Sequence, residues 1–108
     1  MALASLTIAN TYAVDPGFRF GNGIIATHVD APITIEQVDQ TSLRGHWTVN
    51  YKTHTGSKRS DIHTATFYLN NKTTFSGGSR SDAVKGRQVH ITYHFEGDRA
   101  IADTIKFV

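Results

Sequence analysis

Apolar and polar residues alternate at period two along this chain, most clearly between Arg87 and Glu96. Within that segment four apolar side chains alternate with four polar ones: Val89, Ile91, Tyr93 and Phe95 against Gln88, His90, Thr92 and His94. Because successive side chains of a β-strand point to opposite faces, the pattern predicts a strand with one buried face. Thr, Val, Ile, Phe and Tyr recur in similar short runs between glycine-containing turns, which indicates an all-β chain.

Gly45–His54 is predicted as a second strong strand. Weaker strand patterns occur in Leu6–Tyr12, Ile33–Val38, Ile62–Asn70 and Ala100–Val108, and in Phe18–Val29, which has glycine breaks at Gly21 and Gly23. The inward phase of the strands predicts a core of Trp47, Val49, Tyr51, Phe67, Leu69, Val89, Ile91, Tyr93, Ile101 and Ile105. A polar loop is expected over Thr53–Asp61. One short helical turn is expected over Ser79–Lys85, capped by Ser81 or Asp82 and ended by Gly86.

Asp103 breaks the pattern of the last predicted strand, because it is in phase with Ile101, Ile105 and Phe107. Strict alternation would therefore bury its carboxylate. We expect either a β-bulge near Asp103 or an end of the sheet that is open to water. The turn that precedes this strand is predicted at Gly97, which tolerates a positive φ.

Length and composition agree with one small domain. The chain has 108 residues, of which 39% are hydrophobic, and this is enough for one core. No stretch approaches the roughly 18 apolar residues of a membrane helix, so no membrane span is predicted. We therefore predict a single all-β domain over residues 1–108, a small antiparallel barrel or rolled sheet of five or six strands with at most one short helical turn. Residues 1–5 are expected to be disordered or an addition made for expression.

The sequence excludes some kinds of chemistry and gives no support to others. The chain has no cysteine, which excludes disulfides, cysteine-ligated zinc and thiol catalysis. It has no Gly-x-Ser-x-Gly motif, no helix is predicted after Gly77-Gly78-Ser79 to bind a phosphate, and its nine acids form no suggestive pair. We predict no catalytic residue and no cofactor, and a small hydrolase or other enzyme is kept as a second alternative.

Six histidines raise the question of a metal site. His90 and His94 share a strand face but lie four residues apart, about 13 Å along the strand, which is too far to chelate one ion together. His46 and His54 are twice as far apart. A site would need histidines from adjacent strands, such as His46 or His54 beside His90 or His94. Because His90 and His94 alternate with the apolar residues of their strand, we predict that they face solvent and that the chain holds no metal.

Charge is distributed unevenly along the chain. Residues 1–43 contain one base and four acids, whereas residues 44–108 contain ten bases and five acids. A basic second half is typical of a solvated barrel exterior, and it also favours an anionic partner: a single-stranded nucleic acid, an acidic polysaccharide or an acidic protein. If the Thr53–Ser60 and Ser76–Ser81 loops share one end of the barrel, they create a common positive field. The candidate contact residues are Lys52, Lys58, Arg59, Tyr68, Lys72, Arg80, Lys85 and Arg87.

The last third of the chain carries a series of short motifs: Thr74-Phe75, Ser81-Asp82-Ala83-Val84-Lys85-Gly86, Val89-His90-Ile91-Thr92-Tyr93 and Ala102-Asp103-Thr104-Ile105. Over residues 65–108 the series resembles a family of small, exported bacterial barrel domains of unknown function with an OB-like fold. The resemblance implies an OB-like barrel and an export route, and it implies no catalytic residue. The first half of the chain has no counterpart in that family.

Two functional hypotheses differ in where the protein works. The start, Met1-Ala2-Leu3-Ala4-Ser5, resembles the small-residue end of a secretory signal, so we expect a periplasmic or secreted, non-catalytic binding module. The alternative is a cytoplasmic OB-like protein that binds single-stranded nucleic acid by stacking bases on exposed rings. Tyr51 and Tyr93 are in phase with the core, which leaves Tyr68 as the best exposed ring.

Overall fold

The computed structural model describes residues 14–19 and 23–108, and in them six strands form one sheet. The strands are β1 (Ile33–Val38), β2 (Ser42–Lys52), β3 (Lys58–Tyr68), β4 (Thr74–Ser76), β5 (Gln88–Glu96) and β6 (Arg99–Phe107). The helical residues described are two short 3-10 turns, Pro16–Phe18 and Arg80–Asp82. The all-β prediction is confirmed, whereas the predicted strand Leu6–Tyr12 and the expected tail 1–5 lie outside the described residues.

Five of the strands close into a barrel. β1, β2 and β3 form an antiparallel meander, and β5 and β6 form an antiparallel hairpin. These two units join twice, because β1 pairs antiparallel with β5 and the end of β3 pairs in parallel with the start of β6. β4 then pairs in parallel with Thr104–Lys106, further along β6. The predicted barrel is therefore present, and its sheet is mixed because parallel pairs close it.

The core lies inside the barrel and is centred on Phe18. This ring is fully buried and contacts the rings of Trp47, Phe67, Tyr93 and Phe95. Most of the predicted core is buried as expected: Trp47, Phe67, Leu69, Val89, Ile91, Tyr93 and Ile105. Val49 is half-buried, and Tyr51, which was predicted to point inward, is exposed.

Asp103 is the extra residue of a β-bulge, which is the first of the two arrangements that the sequence predicts for it. Thr92 pairs with Thr104 but Tyr93 pairs with Ala102, so β6 has one more residue than β5 at this point. The bulge changes the phase of β6, which brings both Ala102 and Ile105 into the core. Ile101 is also buried, as predicted, although it is not part of the main core cluster.

A strap, which we define as the described residues 14–19 and 23–32, takes the place of the predicted strand Phe18–Val29. Its regular structure is limited to the 3-10 turn that begins at Pro16 and an isolated bridge between Arg19 and Ile25. Gly17 packs so close to the carbonyl oxygen of Thr64 that no Cβ fits there. The strand prediction is wrong over the described residues, where the 3-10 turn includes Phe18 and Gly23 has a φ of 83°, outside the extended region.

The strap is tied to the barrel wall by side-chain hydrogen bonds. Asp15 accepts one from the Gly17 N–H at 3.1 Å and one from the Thr66 N–H of β3 at 3.2 Å. On the other side, the Tyr93 hydroxyl donates to the carbonyl oxygen of Ala26 at 3.0 Å. These bonds fix the strap to β3 and to β5, so Phe18 is held in the barrel interior.

The connections agree with the predictions in kind and differ in extent. Gly97 has a φ of 65° in the tight turn between β5 and β6, as predicted. The polar loop is shorter than Thr53–Asp61, because β3 begins at Lys58. The helical turn is present at Arg80–Asp82, but its N-cap is Ser79 rather than either predicted residue.

Candidate functional site

β2 and β3 continue past the barrel as a two-stranded ribbon. β1 pairs with β2 no further than His46, and β6 pairs with β3 only at Phe67 and Tyr68. β2 and β3 nevertheless stay paired as far as Lys52 and Lys58. We define residues 48–52 and 58–62 as the ribbon. At roughly 3.3 Å per residue, its end lies about 20 Å beyond His46.

The ribbon ends in a cationic tip, which we define as Lys52, Lys58 and Arg59. Lys52 and Lys58 are direct cross-strand partners and therefore share one face, whereas Arg59 pairs with Tyr51 on the other face. The three side chains of the tip and that of Tyr51 are exposed. The sequence has no acid from residue 50 to residue 60, and the next acid along the ribbon is Asp61, on the same face as Arg59.

The loop at the end of the ribbon has a defined backbone. The Thr53 N–H donates to the carbonyl oxygen of Ser57, and the Gly56 N–H donates to that of Thr53, each at 2.9 Å. The Ser57 N–H also donates to Thr53 Oγ1 at 3.2 Å. Gly56 has a φ of 90°, which a side chain would oppose. These bonds hold the two strand ends together, so the lysines are presented from a fixed backbone.

An open hollow of about 470 Å³ lies at the end of the ribbon. Its lining residues are Asn50, Tyr51, Lys52, Lys58, Arg59 and Ser60. Tyr51 is 42% exposed, and Ser60 Oγ donates to Asn50 Oδ1 at 2.6 Å. One aromatic ring, three cations and two polar side chains therefore border this hollow, with Tyr51 and Arg59 on one face of the ribbon and the other four residues on the opposite face.

Four other predicted contact residues lie apart from the tip. The Arg80 Nη2 donates to the carbonyl oxygen of Asp39 at 2.7 Å, and the Arg87 guanidinium lies 5.0 Å from the ring centroid of Phe107. Lys72 and Lys85 are exposed in two separate turns. Arg80 and Arg87 thus have partners within the fold, and of the seven predicted bases Lys52, Lys58 and Arg59 lie together at the tip.

Tyr68 is less open than the sequence predicts. It is half-buried, and the Arg99 guanidinium lies 4.7 Å from its ring centroid. Tyr51 is the more exposed ring, although it keeps the inward phase of Val49. The assignment of Tyr51 is wrong because Tyr51 lies beyond the barrel, where the inward face has no opposite wall. The assignment of Tyr68 is wrong because Arg99 covers its ring. The alternation of β2 contains no signal for where the barrel ends.

The two basic loops lie far apart, so they do not create a common positive field. Arg80 contacts Asp39, whose N–H donates to the carbonyl oxygen of Ser42 at the start of β2. Lys52 is the last residue of the same strand. Ten steps of extended chain separate Ser42 from Lys52, which is about 33 Å. The positive potential at the tip therefore comes from its own three cations.

His94 belongs to a separate polar cluster on the outer face of β5. Its ring nitrogens lie 2.7 Å from Glu96 Oε2 and 2.7 Å from Asp103 Oδ1. Hydrogen bonds to Glu96 and then to Asp103 raise the pKa of His94 above its ordinary value of 6.5. His90 and His94 are both exposed, as predicted. No group of three metal-ligating side chains occurs among residues 14–19 and 23–108, and the absence of a metal stays a prediction.

A second cleft, of about 540 Å³, separates residues 25–31 of the strap from residues 47–50 of β2. Its titratable pair is His28 and Asp30, 3.2 Å apart, and both side chains are more than two-thirds exposed. Water screens a pair that is so exposed. In the part of the chain that the structure describes, no polar or charged residue is buried, so this cleft lacks the desolvated titratable group that is typical of a catalytic site.

No protein-family model, curated protein or solved structure matches this chain. The resemblance of residues 65–108 to exported OB-like domains therefore stays a prediction. Within the described ranges, no helix is both long enough and apolar enough to cross a membrane.

Proposed function

We propose that this protein is a non-catalytic β-barrel module that binds an anionic partner through the cationic tip. The observation that carries the proposal is the direct cross-strand pairing of Lys52 with Lys58 at the exposed end of the ribbon, whose one acid, Asp61, lies on the opposite face. Like charges directly opposite each other destabilise a pair of strands. A bound anion between the two ammonium groups removes that repulsion, so the arrangement favours a partner with negative charge.

The position of the tip adds to the effect of its charge. The three cations lie at the end of the ribbon, about 20 Å along β2 from His46, the last residue of β2 that pairs with β1. Such a local positive field increases the rate of association with an anionic partner. Salt screens this field over about 10 Å at 0.1 M, so we expect the affinity to fall as the salt concentration rises.

An OB-like fold and export are part of this proposal. An OB fold is a five-stranded Greek-key barrel that binds ligands on the face of its second and third strands. Support comes from the order β1-β2-β3-β6-β5 around this barrel, and from the formation of the ribbon by the second and third strands. Export to the periplasm or beyond rests on the resemblance over residues 65–108.

Single-stranded nucleic acid is the alternative partner. The observation that favours it is the exposure of Tyr51 next to Arg59, because proteins that bind single strands combine aromatic rings with cations. The ring in this alternative is Tyr51 instead of Tyr68, whose face Arg99 covers. The described residues give the enzyme alternative no support.

The test is a titration of the protein with three labelled polyanions, heparin, oligo-dT and polyglutamate, at two salt concentrations. We expect at least one of them to bind, more weakly at higher salt. The double variant Lys52→Ala/Lys58→Ala is expected to bind about 10-fold more weakly, because it loses two exposed charge contacts worth up to about 1 kcal/mol each.

The matched control is Lys72→Ala/Lys85→Ala, which removes the same number of positive charges from two turns away from the tip. This variant is expected to keep most of the affinity. If no polyanion binds, or if the control loses as much affinity as the tip variant, the proposed function is wrong.

A further inference from the structure

We propose that the anionic partner is an acidic polysaccharide, whose sugar ring packs on Tyr51 while its carboxylate or sulfate groups bind the cationic tip. This inference rests on the proposed function, because it names the class of anion that the tip binds. The reason for choosing this class of polyanion is the set of uncharged contacts that Tyr51, Asn50 and Ser60 offer to a sugar ring and its hydroxyls.

Tyr51 supplies an open aromatic face beside the charges. Of the large exposed hydrophobic side chains in the described residues, Tyr51 is the one that is aromatic. It lines the same hollow as Lys52 and Lys58, and Arg59 is its cross-strand partner. The C–H face of a pyranose ring is apolar and packs on an aromatic ring, as other apolar groups do. A carboxylate or sulfate group on the same sugar pairs with Arg59 on that face, and charged groups on neighbouring units reach Lys52 and Lys58 on the opposite face.

Asn50 and Ser60 supply hydrogen-bonding groups of the kind that sugar hydroxyls need. They are cross-strand partners, both are exposed, and their mutual bond uses the amide oxygen of Asn50. The amide NH₂ of Asn50 remains a donor, and the Ser60 oxygen can still accept. A polysaccharide presents a ring and hydroxyls together with its charges, whereas an acidic peptide such as polyglutamate presents charges alone.

A single-stranded nucleic acid fits the surface around Tyr51 and the cationic tip less well. Proteins of that class stack successive bases on several rings along one path. Two other partly exposed rings already have partners, because the Arg99 guanidinium lies over Tyr68 and Phe75 stacks on Phe107. One open ring with cations on both faces of the ribbon suits a polymer that places one ring on Tyr51 and has charges on its neighbouring units.

The experiment compares four oligomers of matched charge: heparin, oligogalacturonate, oligo-dT and polyglutamate. Each is titrated into the intact protein, Tyr51→Ala and Tyr51→Phe. We expect tightest binding to one of the two saccharides. Tyr51→Ala is expected to weaken saccharide binding about 5-fold, because a ring contact is worth about 1 kcal/mol. Tyr51→Phe restores the ring and is expected to restore the affinity.

Polyglutamate is the internal control, because its binding is expected to be the same for all three proteins. If oligo-dT binds more tightly than both saccharides and Tyr51→Ala weakens it most, the inference is wrong and the proposed function stands. If Tyr51→Ala changes no affinity, the inference is also wrong, since charge alone then accounts for binding. Absence of all binding overturns the proposed function itself. Thermal unfolding of each variant checks that the exposed substitution leaves the barrel intact.

Discussion

At the scale of single residues, His94 carries the clearest pH dependence. Glu96 and Asp103 hydrogen-bond to its two ring nitrogens, and this raises the pKa of His94 in the folded protein above 6.5. A raised folded-state pKa contributes stability that is complete below the unfolded-state pKa and is lost as the pH rises through the folded-state value. Protonated His94 therefore stabilises the hairpin of β5 and β6 in acid and ceases to do so at higher pH.

We predict that His94→Gln lowers the free energy of unfolding more at pH 5 than at pH 8. Glutamine keeps hydrogen-bonding groups but does not gain a proton when the pH is lowered. The measurement is urea unfolding of both proteins at pH 5, 6.5 and 8. His90→Gln is the control, because His90 is exposed on the same face of β5 and its cross-strand partner is Lys106 rather than an acid. Equal losses at all three pH values for His94→Gln would contradict the prediction.

Single residues also mark the limit of what the sequence can predict about the site. Lys52, Lys58 and Arg59 could be identified as candidate contacts because charge is read directly from the sequence. The exposure of Tyr51 could not, because its phase is inward and only the extent of the barrel decides whether an inward residue is covered. The partial burial of Tyr68 could not be predicted for a related reason, because the residue that covers its ring, Arg99, is distant in the sequence.

At the scale of elements, the bulge in β6 reconciles an irregular sequence with a regular core. Removing Asp103 leaves Ala100, Ala102, Ile105 and Phe107 in strict alternation, so every core residue keeps its face. Removing Thr92 from β5, whose alternation is already regular, would turn the residues after it to the wrong face. The two strands of one hairpin therefore differ in their tolerance of a one-residue deletion.

We predict that the Asp103 deletion folds cooperatively, with a loss of about 1–3 kcal/mol from altered twist and from the lost His94 contact. The Thr92 deletion is expected to lose cooperative unfolding. Denaturant titration followed by far-ultraviolet circular dichroism measures both. A cooperative transition for the Thr92 deletion, or none for the Asp103 deletion, would show that the register of this hairpin is set in another way.

Elements differ in how far local pattern determines them. β5 was predicted within one residue, because its alternation is unbroken and both faces are read from neighbouring positions. The strap was not, because its path depends on where Phe18 and Gly17 pack against β3. The parallel pairing of β3 with β6 was also missed, since register between strands that are distant in sequence is not encoded in the phase of either one.

At the scale of the whole molecule, the barrel and the ribbon have separate physical tasks. The barrel strands enclose one aromatic cluster, and the central ring of that cluster comes from the strap. Val49 of the ribbon still packs against this core, whereas the end of the ribbon carries charge and no buried side chain. Stability therefore depends on the barrel and strap, whereas the proposed binding depends on the ribbon, so the two properties can be changed independently.

Phe18 tests this separation most directly. We predict that Phe18→Ala lowers the free energy of unfolding by about 3–5 kcal/mol, because a fully buried ring with four aromatic neighbours leaves a large cavity. That is a large part of the roughly 5–15 kcal/mol that stabilises a typical domain. Denaturant unfolding followed by Trp47 fluorescence measures the loss, since the centroids of the two rings are 5.9 Å apart. Phe75→Ala is the control, because Phe75 is half-buried on β4 and is expected to cost less. Heparin affinity of the folded fraction of Phe18→Ala should equal that of the unaltered protein, and a parallel loss of affinity would mean that the ribbon depends on the core.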